Sequence, residues 1–511
     1  MPIARSSTIA LVGMHGALVD IEVDLADGIP AFALIGLPDT ALGEARQRVR
    51  SAAANSGCEL PNKKFTVNLS PAALPKHGSG FDLGIALAML AAGGIVSSAS
   101  VESTVHIGEL GLDGRIRSVP GVLPAVLAAK RSGCARVMVP AACAAEASLV
   151  DGVQVVPIAT LRGAAIWHGA ELDADDGIVE AVVREPVEES AEAIPDLADV
   201  VGNEEAIRAL TVAAAGGHHL FLLGPPGAGK TMLATRLPGI LPPLDPDAAI
   251  ECASVRSLSG LAVRSLSLRP PFEAPHHTAS TPAIVGGGSG IIRPGAIARA
   301  AHGVLFLDEA PEFSRVALDA LRQPLETGVI TVQRANATAS FPANVQLVLA
   351  ANPCPCGRLG ESGCACTPMA RRRYLGRLSG PLLDRVDLQL TVRRITAAGL
   401  RTAGDGARRT TSAAVAKSVG EARGAAADRL AGTPWRRNAE VPGSWLRARQ
   451  RRPSPAALAA LDRALERGAL TMRGYDRVLR VAWSLADIEG SSSPGHGEIG
   501  EALGYRTAVS A

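Results

Sequence analysis

Three short apolar runs in the middle of the chain each end in glycine or in polar side chains. The runs are Leu220–Leu223, Val304–Leu307 and 345–351. Their length is typical of buried β-strands, and stretches long enough to form helices separate them. Strands that alternate with helices favour a parallel sheet with its ligand at the carboxyl ends. The pattern therefore predicts an α/β domain whose site lies where the three runs stop.

The first run leads directly into a glycine-rich loop of the pattern G-x-x-x-x-G-K-[ST]. Glycine lets backbone N–H groups close around a phosphate, and the following helix offers its positive N-terminal end. Lys230 can reach the β and γ phosphates, and the Thr231 hydroxyl can ligate the Mg²⁺ that accompanies a nucleotide. A chance Gly-Pro turn is the alternative, which the strand before the loop and the helix after it disfavour. The predicted nucleotide-binding residues of the loop are Gly224, Pro225, Pro226, Gly227, Ala228, Gly229, Lys230 and Thr231.

Polar residues at the ends of the other two runs supply the second half of a nucleotide site. Asp308 is predicted to hold the Mg²⁺ shell together with Thr231, and Glu309 to polarise the attacking water. Asn352 follows the third run, where its amide can orient that water and respond to the γ phosphate. We therefore predict hydrolysis of a nucleoside triphosphate at this edge.

Arg385 lies about thirty residues beyond Asn352 and is the first candidate for a charge contributed by a second subunit. If the chain forms a ring, this arginine could enter the neighbouring site and neutralise transition-state charge. The alternative is an ion pair within the chain, with Asp384 or Asp387.

Arg473 is a second candidate, near the start of a predicted C-terminal helix that can fold back over the nucleotide. The same helix carries two other arginines that compete for the role, Arg477 and Arg480. The sequence leaves the choice among the three open.

At 511 residues the chain is long enough for about three domains. Its net charge of +2 conceals an asymmetry, because residues 171–199 carry eleven acidic side chains and the single base Arg184. Residues 391–455 carry thirteen arginines and one lysine against four acidic residues, which predicts either a solvated helix face or a contact surface for a polyanion. We predict an N-terminal domain (1–170), an acidic linker (171–197), a nucleotide-hydrolysing core (198–395), and a basic segment with a helical part (396–511).

No apolar run reaches the roughly 18 residues of a membrane helix, and the N-terminus lacks the apolar stretch of a signal peptide. We therefore expect a cytoplasmic protein.

Four of the eight cysteines fall within thirteen residues, as Cys354, Cys356, Cys364 and Cys366. Such a cluster can bind a structural zinc, although C-x-C spacing is a weaker signal than C-x₂-C; a reduced cluster without metal and a disulfide pair are the alternatives.

The segment 275–278 has two adjacent histidines, His276 and His277. On an extended segment their side chains would point to opposite sides, which disfavours a shared metal. A structural loop or a loop next to the nucleotide is the better interpretation.

Taken together, the motifs resemble those of the YifB/ComM family of magnesium-chelatase-like AAA+ ATPases. The resemblance covers nearly the whole chain. It implies Walker A from Gly224 to Thr231, Walker B at Asp308 and Glu309, sensor 1 at Asn352, an arginine finger at Arg385, sensor 2 near Arg473, and use of ATP and Mg²⁺. One small departure is Asn203, where glutamine is expected. The motifs are DVVGN (199–203), AAAGGHH (213–219), RLPGILPP (236–243), PHHT (275–278), GVLFLDE (303–309), NPCPCG (352–357) and GPLLDR (380–385).

The family resemblance also implies an α/β fold with an N-terminal domain like that of Lon protease (S5-type), an AAA+ P-loop core with a parallel sheet, and a C-terminal helical lid. Laid against the Lon pattern, Gly80 occupies the place of the nucleophilic serine and Leu123 that of the lysine base. A shifted pair of Ser79 and Lys76 stays open. We expect no proteolysis, and interpret the domain as a scaffold or a collar facing nucleic acid.

Relatives of the ComM type are hexameric helicases that drive branch migration, so the resemblance implies a ring motor on single-stranded or branched DNA. Channel loops, including the one near residues 331–334, would grip the strand. An alternative is a chaperone-like remodeller of a protein partner, and a third possibility is an ATP-dependent switch whose ring state alone matters.

Overall fold

The structure is a computed structural model of the chain, and it describes residues 3–36, 44–72, 74, 76, 78–173, 195–288, 292–334, 337–359, 363–395 and 409–507. Most of the predicted acidic linker therefore lies outside the described residues, and its boundaries stay predictions.

The strands form two large sheets and two small ones. In chain order the strands are β1 Ala4–Val12, β2 His15–Ala26, β3 Ala31–Ile35, β4 Lys64–Ser70, β5 Val105–His106, β6 Glu109–Leu110, β7 Ile116–Arg117, β8 Arg136–Pro140, β9 Gln154–Ile158, β10 Leu220–Leu223, β11 Phe272–Glu273, β12 Val304–Leu307, β13 Val329–Arg334, β14 Ala337–Pro342, β15 Gln346–Ala351 and β16 Leu388–Thr391. All three predicted strands are present, the third starting one residue later than its apolar run.

Among the described residues, helices alternate with strands as far as β16, and only helices follow it. The α-helices are Ala45–Asn55, Asp82–Ala92, Ser98–Glu102, Val122–Arg131, Ala144–Ala147, Leu161–Trp167, Glu204–Gly216, Lys230–Arg236, Pro246–Leu258, Thr281–Val285, Ala296–Arg299, Arg315–Ala320, Pro324–Thr327, Pro368–Leu375, Gly380–Leu383, Ser412–Arg429, Gly443–Leu446, Pro455–Glu466, Met472–Glu489 and His496–Thr507. A mixed α/β architecture is thus confirmed.

The N-terminal sheet has seven strands in the order β3-β4-β2-β1-β5-β8-β9. Its centre is antiparallel, since β2 runs against both β1 and β4, whereas the β5, β8 and β9 side is parallel. The helix Asp82–Ala92 is buried along almost its whole length against this sheet. Its small and branched apolar side chains allow that close approach on every face.

The central sheet has five parallel strands in the order β11-β12-β15-β10-β16. Leu223 pairs with Ala351, and Leu307 pairs with Leu349. Because parallel strands keep their register, the residues that follow these strands emerge at one edge. The predicted parallel sheet is therefore confirmed, with the Asn352 strand between the strand of the glycine-rich loop and the strand that ends before Asp308.

Alternate side chains of this sheet enter two separate cores. Leu220 and Phe306 face a core shared with the helices Glu204–Gly216 and Met472–Glu489. The other face carries Phe221 and packs against the β13–β14 hairpin. One layer of the C-terminal helices thus covers one side of the sheet.

A buried polar network fastens the C-terminal helices to the start of β16. His218 bonds to Asp387 through Nδ1 at 3.0 Å and to Ser484 through Nε2 at 2.7 Å, and Asn438 donates to the same serine hydroxyl at 2.9 Å. Burial by itself raises the pKa of the Asp387 carboxyl, but the Arg477 guanidinium and His218 hold it well below its usual range. The attachment lies at the amino end of the strand, away from the edge with the glycine-rich loop.

Candidate nucleotide-binding site

The glycine-rich loop runs from the end of β10 into the helix Lys230–Arg236. Gly227 and Gly229 have φ angles of 76° and 93°, which side-chain-bearing residues rarely adopt. Gly224 is needed for space, because a Cβ there would lie 2.3 Å from the Val392 carbonyl oxygen. These conformations leave the outer side of the loop open, so its backbone N–H groups can surround a phosphate chain.

Lys230 lies under the loop and is 7 % exposed. Its ammonium donates to the carbonyl oxygens of Gly224 at 2.6 Å and Pro225 at 3.1 Å, and to Asn352 Oδ1 at 3.1 Å. Burial lowers the pKa of Lys230, while the charges of Asp308 and Glu309 oppose that shift. The lysine thus connects the phosphate loop to the strand that ends at Asn352.

Thr231 and Asp308 meet directly, since the Thr231 hydroxyl donates to Asp308 Oδ2 at 2.7 Å. The other oxygen of that carboxylate accepts the backbone N–H of Glu309 at 2.9 Å. A hydroxyl beside a carboxylate is the pair of hard oxygen ligands that Mg²⁺ takes in nucleotide sites. The predicted Mg²⁺ residues therefore fit the ion by chemistry and by proximity.

Glu309 adopts a left-handed conformation, with φ 50° and ψ 42°. For a residue with a side chain this costs about 1–3 kcal/mol and is concentrated at functional sites. Its carboxylate lies half-exposed, with Oε2 3.5 Å from His277 Nδ1. The strained turn directs the side chain into the cleft next to Asp308.

The outer part of the loop, the two carboxylates and the amide line one open cleft of about 600 Å³, a size suited to a nucleotide, whereas Gly224, Pro225 and Ala228 are not among its lining residues. The residues that line the cleft are Pro226, Gly227, Gly229, Lys230, Thr231, Met232, Ala274, Pro275, His276, His277, Asp308, Glu309 and Asn352. The structure therefore brings together the predicted loop, the two carboxylates and the amide.

The histidine pair was predicted only in part. Its segment lies beside the nucleotide cleft, as one of the two interpretations proposed. The prediction that the two rings point apart is wrong, since their centroids lie 4.1 Å apart. The chain turns here, with the Ala279 N–H bonded to the His276 carbonyl oxygen at 2.9 Å, so the alternation of an extended strand does not apply.

Three residues next to the cleft were not predicted from the sequence as part of the site. Arg394 donates to the Pro226 carbonyl oxygen at 3.0 Å and adds positive charge near Lys230. Asn203 holds a left-handed conformation and its amide contacts the Ala228 carbonyl oxygen at 3.4 Å, a role for which asparagine is suited. Tyr374 approaches the Asn352 backbone. Motif spacing carries no signal for such contacts between distant segments.

Arg385 lies away from the cleft of its own chain. It lines a separate cavity of about 870 Å³, where it bonds to the Pro381 carbonyl oxygen at 2.6 Å and pairs with Glu326. The alternative of an ion pair with Asp384 or Asp387 is therefore wrong. Those two carboxylates pair with other cations, Arg506 and Arg477 respectively.

The candidates for the C-terminal arginine differ in their surroundings. Arg473 is exposed in the first turn of its helix. Arg477 is bound to Asp387, and Arg480 donates to the Val441 carbonyl oxygen at 2.7 Å. No arginine is among the described residues that line the nucleotide cleft, so a role for any of the three stays a prediction.

The N-terminal domain does not assemble the shifted catalytic pair. Lys76 is fully buried, and its ammonium donates to the carbonyl oxygens of Gly36, Pro71 and Leu74 at 3.1, 2.6 and 3.0 Å. Ser79 bonds to Glu109 instead. A lysine saturated by carbonyls cannot take a proton from that serine. Gly80 and Leu123 have no side chain able to act as nucleophile or base.

Much of the basic region is tied to the chain itself. Arg423 donates to the Ala214 carbonyl oxygen, Arg429 pairs with Asp487, and Arg451 lies over the Trp445 ring. Other arginines are exposed among the described residues of this region, namely Arg393, Arg394, Arg409, Arg436, Arg449 and Arg452, and Arg451 is exposed as well. The described arginines of residues 391–455 therefore do not form one uniformly solvated basic face.

The four clustered cysteines come together, with their sulfur atoms all within 4.8 Å of one another. The other four cysteines, Cys58, Cys134, Cys143 and Cys252, are separate and reduced.

Within the described ranges, no helix combines the length and apolarity needed to cross a membrane.

Comparison with known proteins agrees with this architecture. Residues 196–400 match the family model "magnesium chelatase, subunit ChlI", residues 21–143 match "subunit ChlI of Mg-chelatase", and residues 409–506 match its C-terminal model. The chain is 50 % identical to an uncharacterised protein of Mycobacterium tuberculosis over 99 % of both chains. It is 43 % identical to the competence protein ComM of Haemophilus influenzae over 98 % of this chain and 96 % of that protein, and 38 % identical to the uncharacterised protein YifB of Escherichia coli over 99 % and 97 %. The chain therefore belongs to the YifB/ComM family of magnesium-chelatase-like proteins.

Proposed function

We propose that the protein is an ATP-hydrolysing AAA+ ring motor that acts on DNA, as a helicase or branch-migration factor in recombination or DNA uptake. The observation that carries the ATPase part is the convergence of Lys230, Asn352, Thr231 and Asp308 on one cleft. Membership of a magnesium-chelatase-like AAA+ family implies use of ATP and Mg²⁺.

Each residue of the cleft has a task that its position allows. Lys230 binds the terminal phosphates as a charge, and Thr231 with Asp308 would hold Mg²⁺, which neutralises phosphate charge when bound. Glu309 accepts the proton of the attacking water, and its strained backbone keeps the carboxylate in the cleft. Asn352 shares a hydrogen bond with Lys230, so it can position the water relative to the phosphate.

Arg385 would act in the cleft of the neighbouring subunit. Within its own chain its guanidinium is held by Glu326 and a backbone carbonyl, and its buried Nε has no hydrogen-bond partner among the described residues. Because these contacts already restrict the Arg385 side chain at the cavity wall, it loses little conformational entropy when a second subunit binds there. A hexameric ring would place each such arginine at a heterologous interface.

The DNA part of the proposal is supported by two further observations. Exposed arginines lie in the basic C-terminal region, where they can meet phosphates without reading sequence. The β13–β14 hairpin projects polar residues near its tip, where it could contact a strand in a ring channel. A relative named as a competence protein agrees with a DNA-related role.

The first prediction concerns Glu309→Gln. The amide keeps the shape of the side chain but cannot accept the proton, so turnover should fall about 10²–10⁴-fold while ATP binding persists. Steady-state phosphate release and binding of a fluorescent ATP analogue measure the two effects. The matched control is Glu312→Gln, at an exposed glutamate three residues away. Equal turnover in wild type and Glu309→Gln would contradict the assignment.

The second prediction tests a site shared between subunits. Arg385→Ala alone should lower turnover about 10³–10⁵-fold. An equimolar mixture of Arg385→Ala and Glu309→Gln should regain about a quarter of the wild-type rate, because intact sites form where the two variants meet. The mixture is compared with each variant at the same total concentration. If it shows only the sum of its components, Arg385 acts within its own chain or outside the reaction.

The third prediction concerns DNA. Single-stranded and branched DNA should stimulate phosphate release, and binding should weaken steeply with salt because counterions are released from the phosphates. The double variant Arg436→Gln/Arg449→Gln should reduce the slope of log K against log salt by about 2. Arg315→Gln, at an exposed arginine of the core, serves as the control. Absence of stimulation and of salt-sensitive binding would overturn the DNA motor and favour remodelling of a protein partner.

A further inference from the structure

The four clustered cysteines have the spacing of a metal site. The sulfur of Cys354 lies 3.4 Å from that of Cys356 and 3.9 Å from that of Cys364, and the latter two are 3.7 Å apart. Cys366 lies within 4.8 Å of all three. Four thiolates at about 2.3 Å from a tetrahedral zinc are about 3.8 Å from one another. A disulfide would need sulfurs at about 2.05 Å, so the observed set fits shared coordination.

The cluster is joined directly to the nucleotide site. Cys354 is fully buried two residues after Asn352, and the Gly357 N–H donates to its carbonyl oxygen at 2.9 Å. Gly357 has a φ of 72°, and a Cβ on it would lie 2.6 Å from the Pro226 ring of the phosphate loop. The turn that carries the first two cysteines therefore packs against the loop itself.

The second pair of cysteines leads into a helix that returns to the same strand. Thr367 caps the helix Pro368–Leu375 by accepting the Ala370 N–H at 3.2 Å, one residue after Cys366. Near its end Tyr374 is buried, with its hydroxyl beside the Asn352 backbone. Both arms of the cysteine segment thus end next to Asn352.

We propose that Cys354, Cys356, Cys364 and Cys366 bind one Zn²⁺, and that this ion positions Asn352 and the phosphate loop for ATP hydrolysis. The inference rests on the proposed ATPase function and deepens it. Binding releases four thiol protons and leaves a net charge of −2 on the site. The helix that follows Cys366 carries Arg371, Arg372 and Arg373, which are complementary in charge.

The cysteines would be positioning residues, because none of them lines the cleft. Without the ion, the two C-x-C pairs have little apolar burial to hold them, since only Cys354 of the four cysteines is buried. Asn352 and Pro226 would then lose a fixed support on one side. We expect turnover to suffer more than nucleotide affinity, because Lys230 and the glycines bind phosphate on their own.

The fourth prediction tests the ion first. The purified full-length chain should contain one zinc per subunit by elemental analysis. Replacement by Co²⁺ should give the intense visible bands of a tetrahedral tetrathiolate site. Cys356→Ser/Cys364→Ser should lose the metal and lower turnover about 10–100-fold, with ATP affinity changed much less. Cys134→Ser, at a separate cysteine, should keep both metal and turnover.

The outcomes separate this inference from the ATPase proposal. Lys230→Ala should lose ATP binding and keep one zinc, which shows that the metal site stands without the nucleotide. Wild-type protein that lacks zinc and does not take up Co²⁺ would overturn the metal site whatever its ATPase rate. A double cysteine variant that loses zinc but keeps wild-type turnover would overturn the positioning role. If that variant fails to fold, chelator-stripped wild type, assayed before and after zinc is restored, gives the same comparison.

Discussion

The parallel register of β10, β15 and β12 is the constraint on which the rest depends. Leu223 opposite Ala351 and Leu307 opposite Leu349 bring the loop, Asn352 and Asp308 to the same edge of the sheet. The same register sends alternate side chains into two cores, so a slip of one residue would exchange them. The burial of the strands therefore fixes the geometry of the strand ends, whereas the loops that leave the sheet and the groups they position need further support.

Local patterns revealed most of the site before the fold was known. A glycine-rich loop after Leu223 and acids after Leu307 depend on neighbours in sequence, and periodicity detects them. The contacts of Arg394 and Tyr374 depend on how distant segments turn back toward the cleft, which no spacing encodes. The proximity of the His276 and His277 rings depends on a local turn that the sequence pattern did not indicate. The partner of Arg385 was mistaken for the same reason: Glu326 comes from a separate helix.

The flanking parts of the chain show how composition misleads without a fold. An arginine-rich stretch predicted a solvated helix face or a contact surface for a polyanion, yet Arg429 pairs with Asp487 within the C-terminal helices and Arg423 donates to Ala214 of the core helix Glu204–Gly216. In the N-terminal domain, Lys76 and Ser79 are close in sequence and bonded to different partners. The three carbonyl contacts of the buried Lys76 give it a structural role and keep it from acting as a base toward Ser79.

The proposed motor must convert ATP hydrolysis into movement of a DNA strand. Its central requirement is therefore that hydrolysis and strand movement are coupled. The most direct measurement follows a fluorescently labelled four-way DNA junction during ATP hydrolysis by wild-type protein. The account predicts that ATP drives conversion of the junction into duplex products, and that a non-hydrolysable analogue does not. Stimulated phosphate release with a junction that stays intact would contradict it.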